Sequence, residues 1–373
     1  MSLTAKIKDI ELELSRTQKN KRTEYHIGLL KGKLARYRAQ LLEFQTKSSG
    51  GSIAAFEVGK TGDARVALVG FPSVGKSSLL NHLTDAKSCI ASYEFTTLTC
   101  VPGVLELKGA RVQILDLPGI ITGASAGKGR GKQVIATART ADCIMMVLDA
   151  AGHPNQSKLL TEELETMGIR INRKPPHVSF KAKSSGGVSF TSTVPLTHLD
   201  ERFIKQLLHD YHIFHAEILF HEDCTADDLI DVIEMSRNPS ARVYVPCLYV
   251  YNKIDQVSME EIDAIARRPH SVVISCEYNL NMDVLLEELW RELDLSRIYT
   301  KTHSIAPDFG DPLVVKRGSS VQEVCKKIHK SLPDIVRFAI VWGTSVKYSP
   351  QRVGLSHVVD DEDVIEIVKK ITI

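Results

Sequence analysis

The segment Gly70-Phe71-Pro72-Ser73-Val74-Gly75-Lys76-Ser77 is the strongest indication of the fold of this chain. It follows an apolar run at 66–69 and precedes a helix-like run at 78–83. In this strand–loop–helix context the pattern predicts a phosphate-binding loop, because backbone N–H groups and a helix N-terminus attract anions. The alternative is a glycine-rich loop that only turns the chain. Four further elements, in the order and at the spacing of a nucleotide site, argue against that alternative.

Two side chains of this loop have expected roles. Lys76 is expected to lie against the β- and γ-phosphates of a nucleotide, and the hydroxyl of Ser77 is expected to bind Mg²⁺. The site is expected to include the residue after the motif as well. The nucleotide-binding residues predicted in this segment are Gly70, Phe71, Pro72, Ser73, Val74, Gly75, Lys76, Ser77 and Ser78.

A second motif, Asn252-Lys253-Ile254-Asp255, identifies the base. It follows the mostly apolar run 245–251, which has the character of a buried strand. The carboxylate of Asp255 can accept hydrogen bonds from both N1–H and N2–H₂ of guanine, whereas adenine offers no such pair of donors. Asn252, Lys253 and Asp255 therefore predict a guanine nucleotide. A further strand at 272–274 leads to Ser275 and Cys276, whose backbone is expected to contact guanine O6.

The catalytic elements lie between these two motifs. Asp116-Leu117-Pro118-Gly119 ends a strand at 112–115. Asp116 is expected to hold Mg²⁺ through water, and the N–H of Gly119 is expected to contact the γ-phosphate. In the segment 93–97, Thr97 rather than Thr96 is expected to supply a second hydroxyl to Mg²⁺. Lys76, Thr97 and Gly119 are the predicted catalytic residues.

Together, the segments 70–77, 93–97, 116–119 and 252–255 resemble the Obg-like branch of translation-factor-related GTPases. The match is closest to the developmentally regulated GTP-binding proteins (DRG family) and extends over nearly the whole chain. This resemblance implies a GTP-hydrolysing switch that is associated with ribosomes and translation in the cytoplasm. It also implies a protein partner of the DRG-regulatory type and possible contact with RNA.

One position departs from many GTPases. Ile120 follows the Asp116–Gly119 motif, where many GTPases carry a glutamine that orients the attacking water. An aliphatic side chain cannot align water, so basal hydrolysis is expected to be slow unless another group helps. The resemblance suggests that a monovalent cation such as K⁺ supplements the missing charge. Some relatives that use K⁺, however, carry asparagine where this chain has Ser73.

The predicted fold class is α/β, with a P-loop GTPase core and accessory modules. Residues 7–44 have a helical period, with a break predicted near 17–22. The spacing from Asp116 to Asn252 exceeds by about 70 residues the roughly 60 that two helix–strand units need, which predicts an insert. The predicted domains are an N-terminal helical hairpin at 1–47, a linker at 48–61, a GTPase domain at 62–296 interrupted by an α+β insert at 169–241, and a TGS-like β-grasp domain at 297–373.

Within the insert, the pattern predicts a hairpin over 178–194, a helix over 201–211, a strand over 216–220 and a helix over 225–235 that is capped by Thr225. In the C-terminal segment it predicts strands at 313–315, 339–342 and 364–368 and one helix over 320–332. The N-terminal helices are too small to bury much alone, so they are expected to pack on the rest of the protein or on a partner. Their basic face can be solvated or can contact RNA, and the sequence leaves both open.

The composition of the chain bears on the cellular compartment in which the protein is expected. The chain has 373 residues and a net charge of +2, and its 7 cysteines form no C-x-x-C pair, which favours a reducing compartment without a disulfide framework. No signal peptide, long apolar span or lipidation motif is found, so a cytoplasmic protein without membrane attachment is expected. Two alternative functions compete with the GTPase. Asp255 argues against an adenine-nucleotide hydrolase, and the presence of Lys76, Ser77, Thr97 and Asp116 argues against an RNA- or protein-binding scaffold with a structural nucleotide.

Overall fold

The seven residues that end at Gly70 form strand β1 (Ala64–Gly70), and all seven are buried. A strand buried on both faces belongs in the middle of a sheet. Its neighbours on both sides, β3 (Ala110–Asp116) and β4 (Cys143–Asp149), run parallel to it. The computed structural model describes residues 3–18, 20, 23–48, 62–85, 102–117, 138–239, 241–302 and 305–370.

The described elements, numbered in chain order, have the following bounds. The helices are α1 (Leu3–Arg16), α2 (Glu24–Ser48), α3 (Lys76–Asp85), α4 (Gln156–Thr166), α5 (Glu201–Asp210), α6 (Ala226–Arg237), α7 (Met259–Ala266), α8 (Met282–Leu293), α9 (Val321–Ile328) and α10 (Leu332–Ile335). The other strands are β2 (Pro102–Leu107), β5 (Ile169–Ile171), β6 (Val178–Ala182), β7 (Val188–Ser192), β8 (Ala216–Phe220), β9 (Val243–Val245), β10 (Cys247–Asn252), β11 (Ser271–Val273), β12 (Leu295–Lys301), β13 (Leu313–Lys316), β14 (Val336–Trp342), β15 (Gln351–Val353) and β16 (Val364–Lys369).

The described part of the chain divides into two units, one of Met1–Glu57 with Gly168–Tyr244 and one of Val58–Met167 with Val245–Ile373. The main sheet of the second unit has the strand order β11-β10-β4-β1-β3-β2, in which only β2 is antiparallel to its neighbour. The carboxyl ends of the parallel strands therefore meet at one edge, where open α/β sheets bind ligands. The P-loop GTPase fold predicted from the sequence is confirmed.

The C-terminal part of the second unit is a β-grasp. Its strand order is β13-β12-β16-β14-β15, and β12 and β16 run parallel. The sequence analysis assigned no strand to β12, which follows α8 after a single residue, Asp294, in the left-handed conformation. The helix predicted for 320–332 is too long, because α9 ends at Ile328 and Pro333 lies in the separate short helix α10. Ser320 caps α9 reciprocally with Glu323.

The first unit joins α1 and α2 to the insert. In the insert, Thr225 caps α6 through a capping box with Asp228, as the sequence predicted for this position. The hairpin predicted for 178–194 is wrong, because β6 and β7 do not pair with each other. Both pair with β8, which lies between them, so the order is β6-β8-β7. Two strands that are close in sequence are here separated by a strand from about thirty residues later.

Two glycines bring α2 close to the helices of the insert. A Cβ atom on Gly28 would press on the ring of Phe203, and one on Gly32 would overlap the side chain of Leu207. The carbonyl of Gly32 also accepts a hydrogen bond from the buried hydroxyl of Tyr211, at 3.2 Å. Because the glycines lie one helical turn apart, they form a notch in which α5 rests. Helix α2 thus packs on the insert, and α1 contacts α2.

The basic face of α2 contributes to this packing. Lys31 Nζ lies 2.6 Å from Asp227 Oδ2 of α6, and Arg38 Nη2 lies 2.8 Å from Glu11 Oε1 of α1. Arg36 donates to the carbonyl of Asp210. These cations therefore bind groups of the same unit, which neither of the two interpretations of the basic face anticipated. Lys19, Lys21 and Arg22 lie outside the described residues.

Gly32→Leu is expected to destabilise the first unit by about 1–3 kcal/mol, because the added side chain overpacks the contact with Leu207. Limited proteolysis should then cut α2 earlier, and the unfolding temperature should fall. Lys33→Leu, which adds a leucine at the exposed neighbouring position, is the matched control. It gives up an ion pair with Asp210 at 3.9 Å, worth less than about 1 kcal/mol at the surface, so both effects should be much smaller than in Gly32→Leu. Equal behaviour of the two variants would contradict the notch.

Candidate functional site

The phosphate-loop motif leads from the carboxyl end of β1 into the N-terminus of α3. The loop needs two left-handed residues, Ser73 with φ 63° and Gly75 with φ 96°. A Cβ atom on Gly75 would overlap the side-chain amide of Asn252, so glycine is required there for space as well as for conformation. The loop between β1 and α3 therefore makes a tight turn just before the N-terminus of α3 and packs against Asn252.

Lys76, the first residue of α3, turns back over the loop. Its Nζ donates to the carbonyls of Gly70 and Phe71, at 2.9 and 2.8 Å. Burial lowers the pKa of the Lys76 ammonium, and the negative charge of Asp116 opposes this shift. A cation is therefore held at the mouth of the loop. Its partners among the described residues are two carbonyl oxygens, which anionic phosphate oxygens can replace.

Ser77 and Asp116 come together from α3 and the end of β3. Ser77 Oγ donates to Asp116 Oδ2 at 3.3 Å. Among the described residues, Asp116 Oδ1 is buried without any hydrogen-bond partner. Burial raises the pKa of the Asp116 carboxyl, against the opposing effects of Lys76 and Ser77. A hydroxyl and an under-coordinated carboxylate, both oxygen donors, are suited to Mg²⁺.

Asn252 connects the two ends of the candidate site. This side chain is only 3% exposed. Its Nδ2 donates to the carbonyl of Val74 in the phosphate loop, at 2.9 Å, and its Oδ1 accepts from the N–H of Cys276, at 3.1 Å. A buried amide with both ends satisfied fixes the distance between the segments it joins. The sequence predicts Asn252 as a binding residue, but only the structure shows that it is a tie between loops.

Asp255 lies beside the segment after β11. Its Oδ1 accepts a hydrogen bond from Ser275 Oγ at 2.7 Å, while the residue itself is exposed. Ser275 and Cys276 are buried, with 0% and 4% of their surface exposed. The hydrogen bond from Ser275 holds one carboxylate oxygen of Asp255, and this bond sets the orientation of the carboxylate. The arrangement can offer acceptors to a ligand that carries adjacent N–H groups.

The structure adds one residue that the sequence analysis missed, Asp149 at the end of β4. Its Oδ2 lies 2.6 Å from Nζ of Lys253, which itself adopts the left-handed conformation with φ 64°. The available signal was its position, since it follows an apolar strand in the same way as Asp116 does. Carboxylates at the ends of parallel strands lie at the ligand-binding edge of the sheet.

The structure brings together Gly70 to Ser78, Asp116, Asn252, Lys253, Asp255, Ser275 and Cys276 at this edge. Thr97 and Gly119, which are predicted catalytic residues, lie outside the described residues, as does Ile120. The predictions for these three positions therefore stay predictions.

Three models of known protein families together match almost all of the chain after the N-terminal helices. Residues 65–182 match the MMR_HSR1 family, described as 50S ribosome-binding GTPase, and residues 185–295 match the C-terminal region of the MMR_HSR1 domain. Residues 296–369 match the TGS domain. The C-terminal match agrees with the β-grasp described above.

Individual relatives are similar over their full lengths. Developmentally-regulated GTP-binding protein 2 of Homo sapiens is 59% identical over 370 residues, which cover 99% of this chain and 100% of that protein. The Dictyostelium discoideum homologue of that protein is 56% identical, again over 370 residues, 99% of this chain and 100% of its own length. GTP-binding protein 1 of Schizosaccharomyces pombe is 55% identical with the same coverage of both chains.

Proposed function

Since this chain belongs to the developmentally regulated GTP-binding protein family, whose members are GTPases, we propose that it is a GTP-hydrolysing switch that acts on ribosomes with a regulatory protein partner. GTP binding is a property of the family. The observation that carries the proposal for this site is Asn252, which ties the phosphate loop to the segment that anchors Asp255. The phosphates of one nucleotide would lie on one side of Asn252 and its base on the other.

In the proposed complex, the phosphate half of the site consists of residues 70–78. Backbone N–H groups of the loop bind phosphate oxygens, and the N-terminus of α3 adds its partial positive charge. The Lys76 ammonium leaves the carbonyls of Gly70 and Phe71 and binds the β- and γ-phosphates, where it stabilises charge that develops during transfer. Thr97 and Gly119 would complete this half next to the γ-phosphate.

GTPases of this family type generally use Mg²⁺, and the oxygen donors present fit that ion. Ser77 would bind it through its hydroxyl and Asp116 through water, with Thr97 as a further ligand. The unpaired Oδ1 of Asp116 is the observation that favours this assignment. When bound, Mg²⁺ neutralises charge on the β- and γ-phosphate oxygens.

The base half consists of Asn252, Lys253, Asp255, Ser275 and Cys276. Asp255 accepts from N1–H and N2–H₂ of guanine. The backbone at Ser275 and Cys276 would contact guanine O6, and for this the Cys276 N–H would have to be shared with Asn252 Oδ1. Adenine would leave the Asp255 carboxylate without donors, which disfavours the adenine-nucleotide hydrolase. A scaffold with a purely structural nucleotide is disfavoured because Ser77 Oγ contacts Asp116 Oδ2, at 3.3 Å, and Lys76 is close enough to Asp116 for their charges to interact.

Basal turnover by the isolated protein is expected to be slow, on the order of 10⁻³ s⁻¹ or below, because Ile120 cannot orient the attacking water. K⁺ is expected to raise the rate by supplementing the missing positive charge. The measurement is single-turnover GTP hydrolysis in K⁺ and in Na⁺ at equal ionic strength, with and without ribosomes. Rapid hydrolysis that does not depend on the cation would show that another residue orients the water.

The ribosomal role rests on the family described as 50S ribosome-binding GTPase and on the TGS domain. It is tested by capture of partners from a cell extract on protein loaded with a non-hydrolysable GTP analogue or with GDP. Ribosomes and a regulatory protein should be recovered preferentially with the GTP analogue. Equal recovery in both states, or none, would contradict a switch on the ribosome. RNA contact would appear as recovery that nuclease abolishes.

We further propose the domain boundaries predicted from the sequence, which are 1–47, 48–61, 62–296 with the insert 169–241, and 297–373. We also propose that the protein is located in the cytoplasm. None of the described helices is long and apolar enough to cross a membrane. Microscopy of the tagged full chain tests the location, and a fraction that sediments with membranes after salt washing would contradict it.

A further inference from the structure

We propose that Asp149 is a positioning residue for recognition of the guanine base. It holds the side chain of Lys253, and through Lys253 it fixes the turn that presents Asp255. The inference rests on the base site proposed above and adds a residue that makes no contact with the nucleotide itself.

Asp149 and Lys253 are brought together by the register of two strands. β4 and β10 run parallel, and Asp149 is the partner of Asn252 at their shared end. The N–H of Ala150 donates to the carbonyl of Asn252 at 2.9 Å, which continues the pairing by one step. The backbone of Lys253, the next residue after Asn252, therefore lies close to Asp149. Its Nζ reaches Asp149 Oδ2 at 2.6 Å, and the two side chains are only 32% and 20% exposed.

Lys253 has an unusual backbone. Its φ and ψ of 64° and 39° are left-handed, a conformation that a residue with a side chain keeps only when its surroundings hold it. The short helix Ile254–Gln256, which contains Asp255, starts from this residue. Ile254 is buried, and its N–H donates to the carbonyl of Ile274 at 3.3 Å. The direction of Asp255 thus depends on the conformation of Lys253.

Asp149 is itself held in place by hydrogen bonds of the turn that follows β4. Its Oδ1 accepts from the N–H of Ala151 at 3.0 Å, and its own N–H donates to Oε1 of Gln156 at 3.3 Å. The carbonyl of Asp149 accepts from Gly152 at 3.1 Å. One carboxylate oxygen therefore orders the turn after β4, and the other is left for Lys253. A partly buried pair with one rigid member restricts the flexible lysine side chain more than an exposed pair does.

The test is Asp149→Asn in the full chain. The asparagine Oδ1 can still accept from Ala151, so the turn is kept, while its NH₂ group faces the Lys253 ammonium and the pair is lost. Dissociation constants are measured for GTP, GDP and ITP, whose base lacks the N2 amine. We expect GTP and GDP affinity to fall by the same factor, about tenfold, because the change lies at the base end. The preference for GTP over ITP should shrink as well, because Asp255 no longer meets N2–H₂ correctly.

Two further variants make the test specific. Lys253→Met removes the same pair from the other side, together with any contact of the lysine itself with the nucleotide. The double variant Asp149→Asn/Lys253→Met should therefore lose no more affinity than Lys253→Met alone. Asp263→Asn breaks a comparable pair with Arg267, at 2.8 Å, whose side chains are 61% and 77% exposed. This matched control should leave nucleotide affinity unchanged.

A wild-type preference for GTP over ITP in Asp149→Asn would overturn the proposal, and so would losses that add in the double variant. Asp255→Asn separates this failure from failure of the base site. If Asp255→Asn also keeps the preference, the base site is wrong. If only Asp149→Asn keeps it, the base site stands and Asp149 has no positioning role. Should Asp149→Asn not fold, as judged by circular dichroism, Asp149→Ser takes its place in the same measurements, because a serine hydroxyl can also accept from the N–H of Ala151 and cannot pair with Lys253 as a carboxylate does.

Discussion

Lys76→Ala is expected to reduce GTP turnover by at least about a hundredfold, because it removes a preorganised positive charge from the phosphates at the moment of transfer. The lysine contributes little to the core. In the described part of the chain, its ammonium donates to the carbonyls of Gly70 and Phe71 and to no other group. The fold should therefore survive, and circular dichroism and thermal unfolding should show this.

The matched control for this variant is Lys158→Ala, which removes an exposed lysine of α4 from the same unit. It should hydrolyse GTP like the wild type. Turnover is measured with purified protein at saturating GTP and Mg²⁺, followed by phosphate release. Full turnover in Lys76→Ala, with contaminating GTPases excluded by a mock purification, would show that the phosphate site lies elsewhere.

Asp255→Asn is expected to lower the affinity for GTP and GDP by more than about tenfold, or 1.4 kcal/mol. The structure indicates how the variant amide would lie. Ser275 Oγ donates to Asp255 Oδ1, so the asparagine oxygen should keep that bond and its NH₂ group should turn toward the base. There it would meet the N1–H and N2–H₂ donors of guanine. Xanthine carries an oxygen at C2, so xanthine nucleotides should gain relative to guanine nucleotides.

Competition between labelled GDP and unlabelled GTP, XTP and ATP measures this exchange of preference. Glu260→Gln, which removes an exposed carboxylate near the same loop, controls for the loss of charge and should behave like the wild type. If Asp255→Asn binds GTP as tightly as the wild type does, the base assignment is wrong. Equal binding of ATP and GTP by the wild type would have the same meaning.

Most elements of the fold follow from local sequence patterns, and the same patterns predict the chemistry of the site. The phosphate loop, the guanine motif and the capping residue Thr225 depend on neighbours within a few positions, and local backbone preferences are readable over that range. β8, predicted at 216–220, has those bounds in the structure. The type of each residue at 70–78, 116 and 252–255 already indicated phosphate, metal and guanine.

Which distant elements contact each other became clear only from the three-dimensional arrangement. It placed β8 between β6 and β7, seated Gly28 and Gly32 of α2 on the insert, and brought Asp149 to Lys253. The local pattern of a strand or a helix does not name its partner, because pairing is set by register and packing between segments far apart in the chain. Asn252 illustrates both levels: its motif identified the residue, and only the packed loops gave it the two hydrogen bonds that join them.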